Sequence, residues 1–114
     1  MVPELGDYVL FAAPGSPPEH EQLCVGRVDE VDRESGRVLV ALHDSQRNAR
    51  LPARIFEPVL VDLVSGDRVI TSRMAGRPNF EVVYARLAAK DLRAGPFQLS
   101  PNGTLPPEIV EEWS

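Results

Sequence analysis

The sequence predicts an all-β chain built as two small, strongly bent five-stranded barrels in tandem, packed on each other. Three observations carry this. First, Gly66-Asp67-Arg68-Val69-Ile70 repeats Gly6-Asp7-Tyr8-Val9-Leu10 at an offset of 60, and further matches follow in the same order. Val25-Gly26-Arg27-Val28 is answered by Tyr84-Ala85-Arg86-Leu87, and Asp32-Arg33-Glu34-Ser35-Gly36 by Asp91-Leu92-Arg93-Ala94-Gly95, both at an offset of 59. Val38 and Val40 become Phe97 and Leu99, and Leu51-Pro52-Ala53-Arg54-Ile55-Phe56-Glu57-Pro58-Val59 is matched by 105–113 at an offset of 54. Second, short β-branched and aromatic runs alternate with Gly, Pro, Asn and Asp clusters. Third, Leu60-Val61-Asp62-Leu63-Val64 joins the copies as an apolar stretch and not a flexible Gly/Ser linker. The units are residues 1–62 and 63–114, the second with shorter hairpins.

In the first copy, Gly6-Asp7 forms a turn into a strand over 8–12. Residues 14–21 are dense in proline and glycine and read as an exposed loop. Leu23 to Val31 forms a second strand, with Cys24, Gly26 and Val28 on one face and Val25, Arg27 and Asp29 on the other. Gly26 inside it implies a bend or close approach of another backbone. The loop 32–36 reads as a hairpin closed by a glycine at positive φ. A third strand over 37–43 turns Val38, Val40 and Leu42 inward and Leu39, Ala41 and His43 outward. A polar turn at 44–48, a short strand at 49–51, one helical or 3₁₀ turn over 53–57 and a last strand at 58–60 complete the unit, because Pro52 cannot donate to a ladder.

In the second copy, Arg73 to Asn79 is the long loop and Phe80 to Leu87 the long strand. Phe97-Gln98-Leu99 is a shortened strand, Pro101-Asn102-Gly103 a tight turn, and Ile109, Val110 and Trp113 cap this second barrel.

The order Gly-Asp-aromatic-Val-Leu, Val-Gly-Arg-Val, an alternating Val-Leu-Val strand and Leu-Pro-x-x-Ile-Phe-Glu-Pro resembles a Tudor-type domain, an SH3-like barrel. The resemblance covers residues 4–60 and, more weakly, 63–114; a tandem of such units also resembles the Tudor-like region of some von Willebrand factor A domain-containing proteins. It implies a chromatin-reader type of activity: recognition of a methylated lysine or arginine by an aromatic cage with an acidic neighbour. Carried onto this sequence, the cage candidates are Tyr8, Phe11, His43 and Asp44 in the first unit, and Phe80 and Tyr84 in the second. The second unit has Arg68 where the first has Tyr8, so a cationic mark would fall to the first.

Composition bounds the remaining readings. The net charge is −5, and all of it lies in residues 1–62, with six Arg against eleven Asp and Glu. Such a balance argues against a nucleic-acid binder, whose affinity comes largely from a basic surface, and favours a basic partner such as a histone-like tail. Asp29, Glu30, Asp32 and Glu34 at one hairpin form the candidate acidic docking surface. Arg47, Arg50 and Arg54 form the one edge suited to phosphate, joined in that alternative by Arg68, Arg73 and Arg77.

No apolar run approaches the ~18 residues of a membrane span, and the N-terminus carries no secretory signal pattern. A single cysteine allows no intramolecular disulfide and fits an intracellular setting, nuclear or cytoplasmic. His20 and His43 have no ligand partners at metal-binding spacing, and adjacent His43-Asp44-Ser45 cannot form a catalytic triad. The expectation is a non-enzymatic module that binds a protein or peptide without cofactor, at the first barrel or the groove between barrels. The alternatives are nucleic-acid binding at the arginine edge, or a scaffold domain of a larger protein.

Overall fold

The computed structural model describes residues 2–13, 15, 17, 19, 22–45 and 54–113. Eight strands appear in order: β1 (Tyr8–Ala12), β2 (Leu23–Asp32), β3 (Arg37–Ser45), β4 (Phe56–Asp62), β5 (Arg68–Ile70), β6 (Phe80–Val82), β7 (Tyr84–Ala88) and β8 (Leu92–Phe97). A 3₁₀ turn over Ala89–Asp91 joins β7 to β8, and one helix, α1 (Pro107–Trp113), follows. The chain is all-β with one short helix, and every strand pair is antiparallel.

The strand order is β5-β4-β3-β2-β1-β8, with β6 also on β4 and β7 also on β3. Two tandem barrels do not emerge from this pairing, and the sheet does not close. After β1, β2 and β3 form a meander, β1 and β3 each retain an open edge. Strands from beyond residue 62 fill both: β8 pairs with β1 and β7 with β3. The expected boundary at 62/63 falls at the β4–β5 hairpin of one continuous sheet. Val83 is the junction: its N–H donates to Val59 O at 2.9 Å while its carbonyl accepts from Leu42 at 2.8 Å. β6 and β7 are therefore one strand that changes partner from β4 to β3.

The long central strands follow from their residue types, which suit a pleated, buried surface. β1 is apolar on both faces, and both are covered. Leu10 packs with Val25, Phe56, Ala94, Phe97, Leu105 and Ile109, so that α1 seals this face of the sheet. Val9 and Phe11 pack on the other face with Val28, Val38 and Val40. Gly26 is needed here, since a Cβ would lie 2.9 Å from Val40 Cβ.

Several local expectations are met. The hairpin at 32–36 closes through Gly36 at φ 70°, and Gly6 and Gly66 precede their strands at φ 87° and 78°. Others are corrected. Residues 56–57 belong to β4 and not to a helical turn, because Phe56 and Glu57 pair with Ser45 and Asp44. The expected strand at 49–51, and Arg47 and Arg50, lie outside the described residues. Leu63 and Val64 do not form a packed joint; they sit in the β4–β5 turn, 52% and 79% exposed. Residues 92–95 are strand and not turn, since β1 offers them a ladder. Residues 98–99 lie beyond β8 and are not strand. Ala41 and His43, expected outward, are buried because the face they share with Val25 is itself covered.

Candidate functional site

The face of the sheet that carries Leu10 and Val25 is apolar under α1 and becomes polar beyond it. Register sets this out in two rows. Ala94, Leu10, Val25, His43 and Pro58 lie side by side across β8, β1, β2, β3 and β4; Phe97, Tyr8, Arg27, Ala41 and Tyr84 form the next row, which ends on β7. Asp29 follows at a bulge, where Val28 opposes Val40 and Glu30 opposes Leu39, leaving one extra residue on β2. That bulge aims Asp29 at Arg27. The guanidinium grips the carboxylate through Nε–Oδ1 at 2.8 Å and Nη2–Oδ2 at 3.2 Å. The hydroxyl of Tyr84, on an exposed ring, lies near enough to interact with the same carboxylate.

The charges follow the contacts. Arg27's hydrogen bond, with its charge, holds the Asp29 carboxyl below the usual carboxylate range against the opposing effect of burial. Partial burial and then the Asp29 charge push the Tyr84 hydroxyl up. His43 meets Tyr8 edge to face, with ring centroids 5.2 Å apart. Its Nδ1 lies 3.1 Å from the Ala41 carbonyl, which can only accept, so Nδ1 carries the proton. Burial pushes the imidazole down, partly opposed by that hydrogen bond.

A groove of about 520 Å³ adjoins this cluster, lined by Glu4, Leu5, Asp29, Glu30, Val31 and Arg33. The N-terminal turn builds one wall of it. Glu4 N–H donates to Asp7 Oδ2 at 2.9 Å, and Gly6 N–H donates to Val28 O at 2.8 Å, fixing Glu4 and Leu5 over β2. Leu5 stays 67% exposed. The lining holds three carboxylates, of which Asp29 is paired with Arg27, one guanidinium, Arg33, and the exposed side chain of Leu5.

The other expected site residues are scattered. Of the cage set, Tyr8 and His43 meet edge to face, while Phe11, Asp44 and Tyr84 line one cavity of about 370 Å³ with no aromatic ring contact among them. Phe11 points to the opposite face of β1 and is 1% exposed, since residues an odd number apart on a strand alternate. Asp44 likewise faces away from His43; its Oδ1 accepts from Ser45 N–H at 2.7 Å. Phe80 borders the Arg73–Asn79 loop, away from the Tyr84–Asp29 contact. Asp32 serves its own hairpin, accepting from Glu34 and Ser35 N–H at 3.0 and 3.3 Å, and Glu34 is exposed in that turn. Arg54 is partly buried, and its charge reaches Cys24.

A second cavity, about 370 Å³, is lined by residues that include Phe11, Cys24, Leu42, Asp44, Arg68 and Tyr84. Burial, then the Asp44 charge, push the Cys24 thiol up, opposite to what a nucleophile needs. Cys24 and His43 occupy opposite faces of the sheet, so they form no nucleophile–base pair. Among the described residues, no group of three or more His, Cys, Asp or Glu is placed to hold a metal ion, and no helix is long and apolar enough to cross a membrane.

Arg27, Glu4 and Leu5 were not singled out from the sequence. Alternation put Arg27 and Asp29 on one face, and opposite charges two apart on a strand were the available signal for their pairing. Nothing local announced that Glu4 and Leu5 would wall a groove on β2. The chain matches no family model, no curated protein and no solved structure.

Proposed function

We propose that the chain is a non-enzymatic recognition module that binds a basic protein segment in the groove of Glu4, Asp29 and Glu30. The observation that carries this is the acidic groove near an exposed tyrosine: Tyr84, 49% exposed and outside the lining itself, interacts with Asp29 of the groove. Carboxylates with an adjacent aromatic face suit a cation, the ring adding roughly 0.5–1 kcal/mol at an exposed position. The charges chiefly set encounter rate and specificity. Tyr84 is the exposed aromatic of this face, so the reading takes an ordinary lysine or arginine and requires no methyl mark.

The fold reading we attach to it is one Tudor-like, SH3-like unit assembled discontinuously, from β1–β2–β3 with β7, the 3₁₀ turn and β8. Its support is that β7 and β8, joined by a single 3₁₀ turn, take the two outer edges of the meander. β4, β5 and β6 then form an insertion with its own three-stranded pairing.

Fluorescence anisotropy with a labelled octalysine peptide tests the reading. Glu4→Lys and Glu30→Lys each reduce affinity at least tenfold, and added salt weakens binding to the wild type. Unchanged binding by both variants would overturn it.

A further inference from the structure

The β6–β7 strand has one edge on β4 and β3, and no strand pairs with its other edge among the described residues. Hydrogen-bond register shows which backbone groups that edge presents. Leu42 N–H donates to Val83 O and Ala89 N–H donates to Gly36 O, so Val83, Ala85 and Leu87 direct their backbone groups to β3. Antiparallel alternation then turns those of Tyr84, Arg86 and Ala88 outward. On the β4 side, Val83 N–H donates to Val59 O and Leu63 N–H to Asn79 O, which turns Val82 outward as well. The edge ends at Phe80, whose N–H turns back to Arg77 O at 3.2 Å. From Val82 to Ala88 the outward groups form one uninterrupted row, because Val83 hands the strand from β4 to β3 without changing edge.

The surroundings of this row differ on its two sides. On one side stand Tyr84 and Arg86 of the strand itself and, across β3, the carboxylates of Asp29 and Glu30 on β2. On the other, the cavity of about 370 Å³ is lined by Val83, Tyr84 and Ala85 of this strand, with Phe11, Leu42 and Cys24 in its apolar wall and Asp44 and Arg68 in its polar one. A strand added to an edge points successive side chains to opposite faces, and pockets for alternate side chains give such binding its specificity.

We infer that the basic segment binds as an added β-strand along Val82–Ala88, its basic side chains toward Asp29 and Glu30 and an aliphatic side chain in the cavity beside Ala85. Only the cationic half of this rests on the function proposed above. A second copy of the chain is the poorer occupant. Symmetric antiparallel pairing about Tyr84 sets Val82 against Arg86 of the second copy, one cation on that face, while the net charge of −5 on each copy opposes association.

The test uses the full chain and two octapeptides of equal composition, one alternating lysine and valine and one with four lysines followed by four valines. The alternating peptide binds at least tenfold tighter, and hydrogen exchange at Val82, Tyr84, Arg86 and Ala88 slows at least tenfold when it is bound. Arg86→Pro, which removes an outward N–H and no ladder bond, lowers its affinity at least tenfold, a substitution an edge strand accommodates. The wild-type exchange result stands independently if that variant is unstable. Equal affinity for both peptides, or binding without slowed exchange at these amides, overturns the added strand. If Glu30→Lys still abolishes binding in that case, the groove reading survives. Slowed exchange and tight alternating binding with no effect of Glu4→Lys or Glu30→Lys would sink the groove and keep the strand. Binding of neither peptide overturns both, and the same protection appearing with protein concentration alone overturns it in favour of self-pairing.

Discussion

Gly26→Ala places one methyl group on β2 against packed side chains of β1 and β3. Gly26 lies opposite Val9 on β1 and Leu42 on β3. The added Cβ would stand 2.9 Å from Val40 Cβ, 3.0 Å from Val40 Cγ2 and 3.0 Å from Phe11 Cε1. Val40 Cβ is fixed to its backbone, and Phe11 is itself 1% exposed, so neither neighbour can yield freely. Overpacking of this kind costs about 1–3 kcal/mol. Because φ at Gly26 is not positive, alanine also restricts the unfolded chain, which offsets roughly 0.4–1 kcal/mol. The net loss is about 1–2 kcal/mol. With an unfolding entropy of about 2.1 cal/mol/K per residue, that lowers the Tm of a 114-residue chain by about 4–8 °C. Urea unfolding should show a lower midpoint at unchanged slope. Val40→Ala in the Gly26→Ala background should cost less than in the wild type, because it removes the Cγ2 contact at 3.0 Å while the contact to Val40 Cβ remains. A midpoint equal to that of the wild type, with no coupling, would refute the close approach of β2 and β3 at this position.

Two further outcomes follow from the same packing. His43 is buried with its imidazole pushed down, so the folded state takes up its proton at lower pH than the unfolded chain does at about 6.5. Stability is full above that value and declines as pH falls through it toward the folded value; pH-dependent urea midpoints should flatten in this window in His43→Gln, and an unchanged slope would contradict the burial. Residues 1–62 alone lack β7 and β8 on the outer edges of β3 and β1, and lose Ala94, Phe97, Leu105 and Ile109 from the core around Leu10. That fragment should show no cooperative unfolding by circular dichroism, and a cooperative transition would argue for an independent first unit.

Local geometry was legible in the sequence where a residue type admits few backbone solutions. Asp32 to Gly36 formed the expected hairpin because the Asp32 carboxylate holds two backbone amides and glycine accepts positive φ. The same Asp-x-x-Ser-Gly pattern recurs at 62–66, where Asp62 Oδ1 accepts from Val64 and Ser65 N–H at 2.9 and 3.4 Å. That echo lies 30 positions from the first and marks the β4–β5 hairpin, whereas the 59-residue offset matched 32–36 to the end of a 3₁₀ turn and the strand residues 92–95. Pairing across the halves was not legible. Alternation tells which face a residue takes but not which strand will lie beside it, so Leu92–Phe97 gave no sign that β1 was its partner. His43 illustrates the limit at the site: alternation grouped it with Leu39 and Ala41, but that face, expected outward, is buried because β1, β2 and β4 lie beside it and carry its cover. The Tyr84–Asp29 contact joins residues 55 apart, and only the register of β2, β3 and β7 brings them together.

The central claim is that the acidic face of β2, walled by the N-terminal turn, receives a basic segment. Backbone amide shifts of the isotopically labelled chain, titrated with octalysine, test it most directly. The largest changes should fall on Glu4, Leu5, Asp29, Glu30, Val31 and Tyr84, and should saturate together. Changes confined to the Arg73–Phe80 loop, or spread without saturation over all exposed acidic residues, would contradict it.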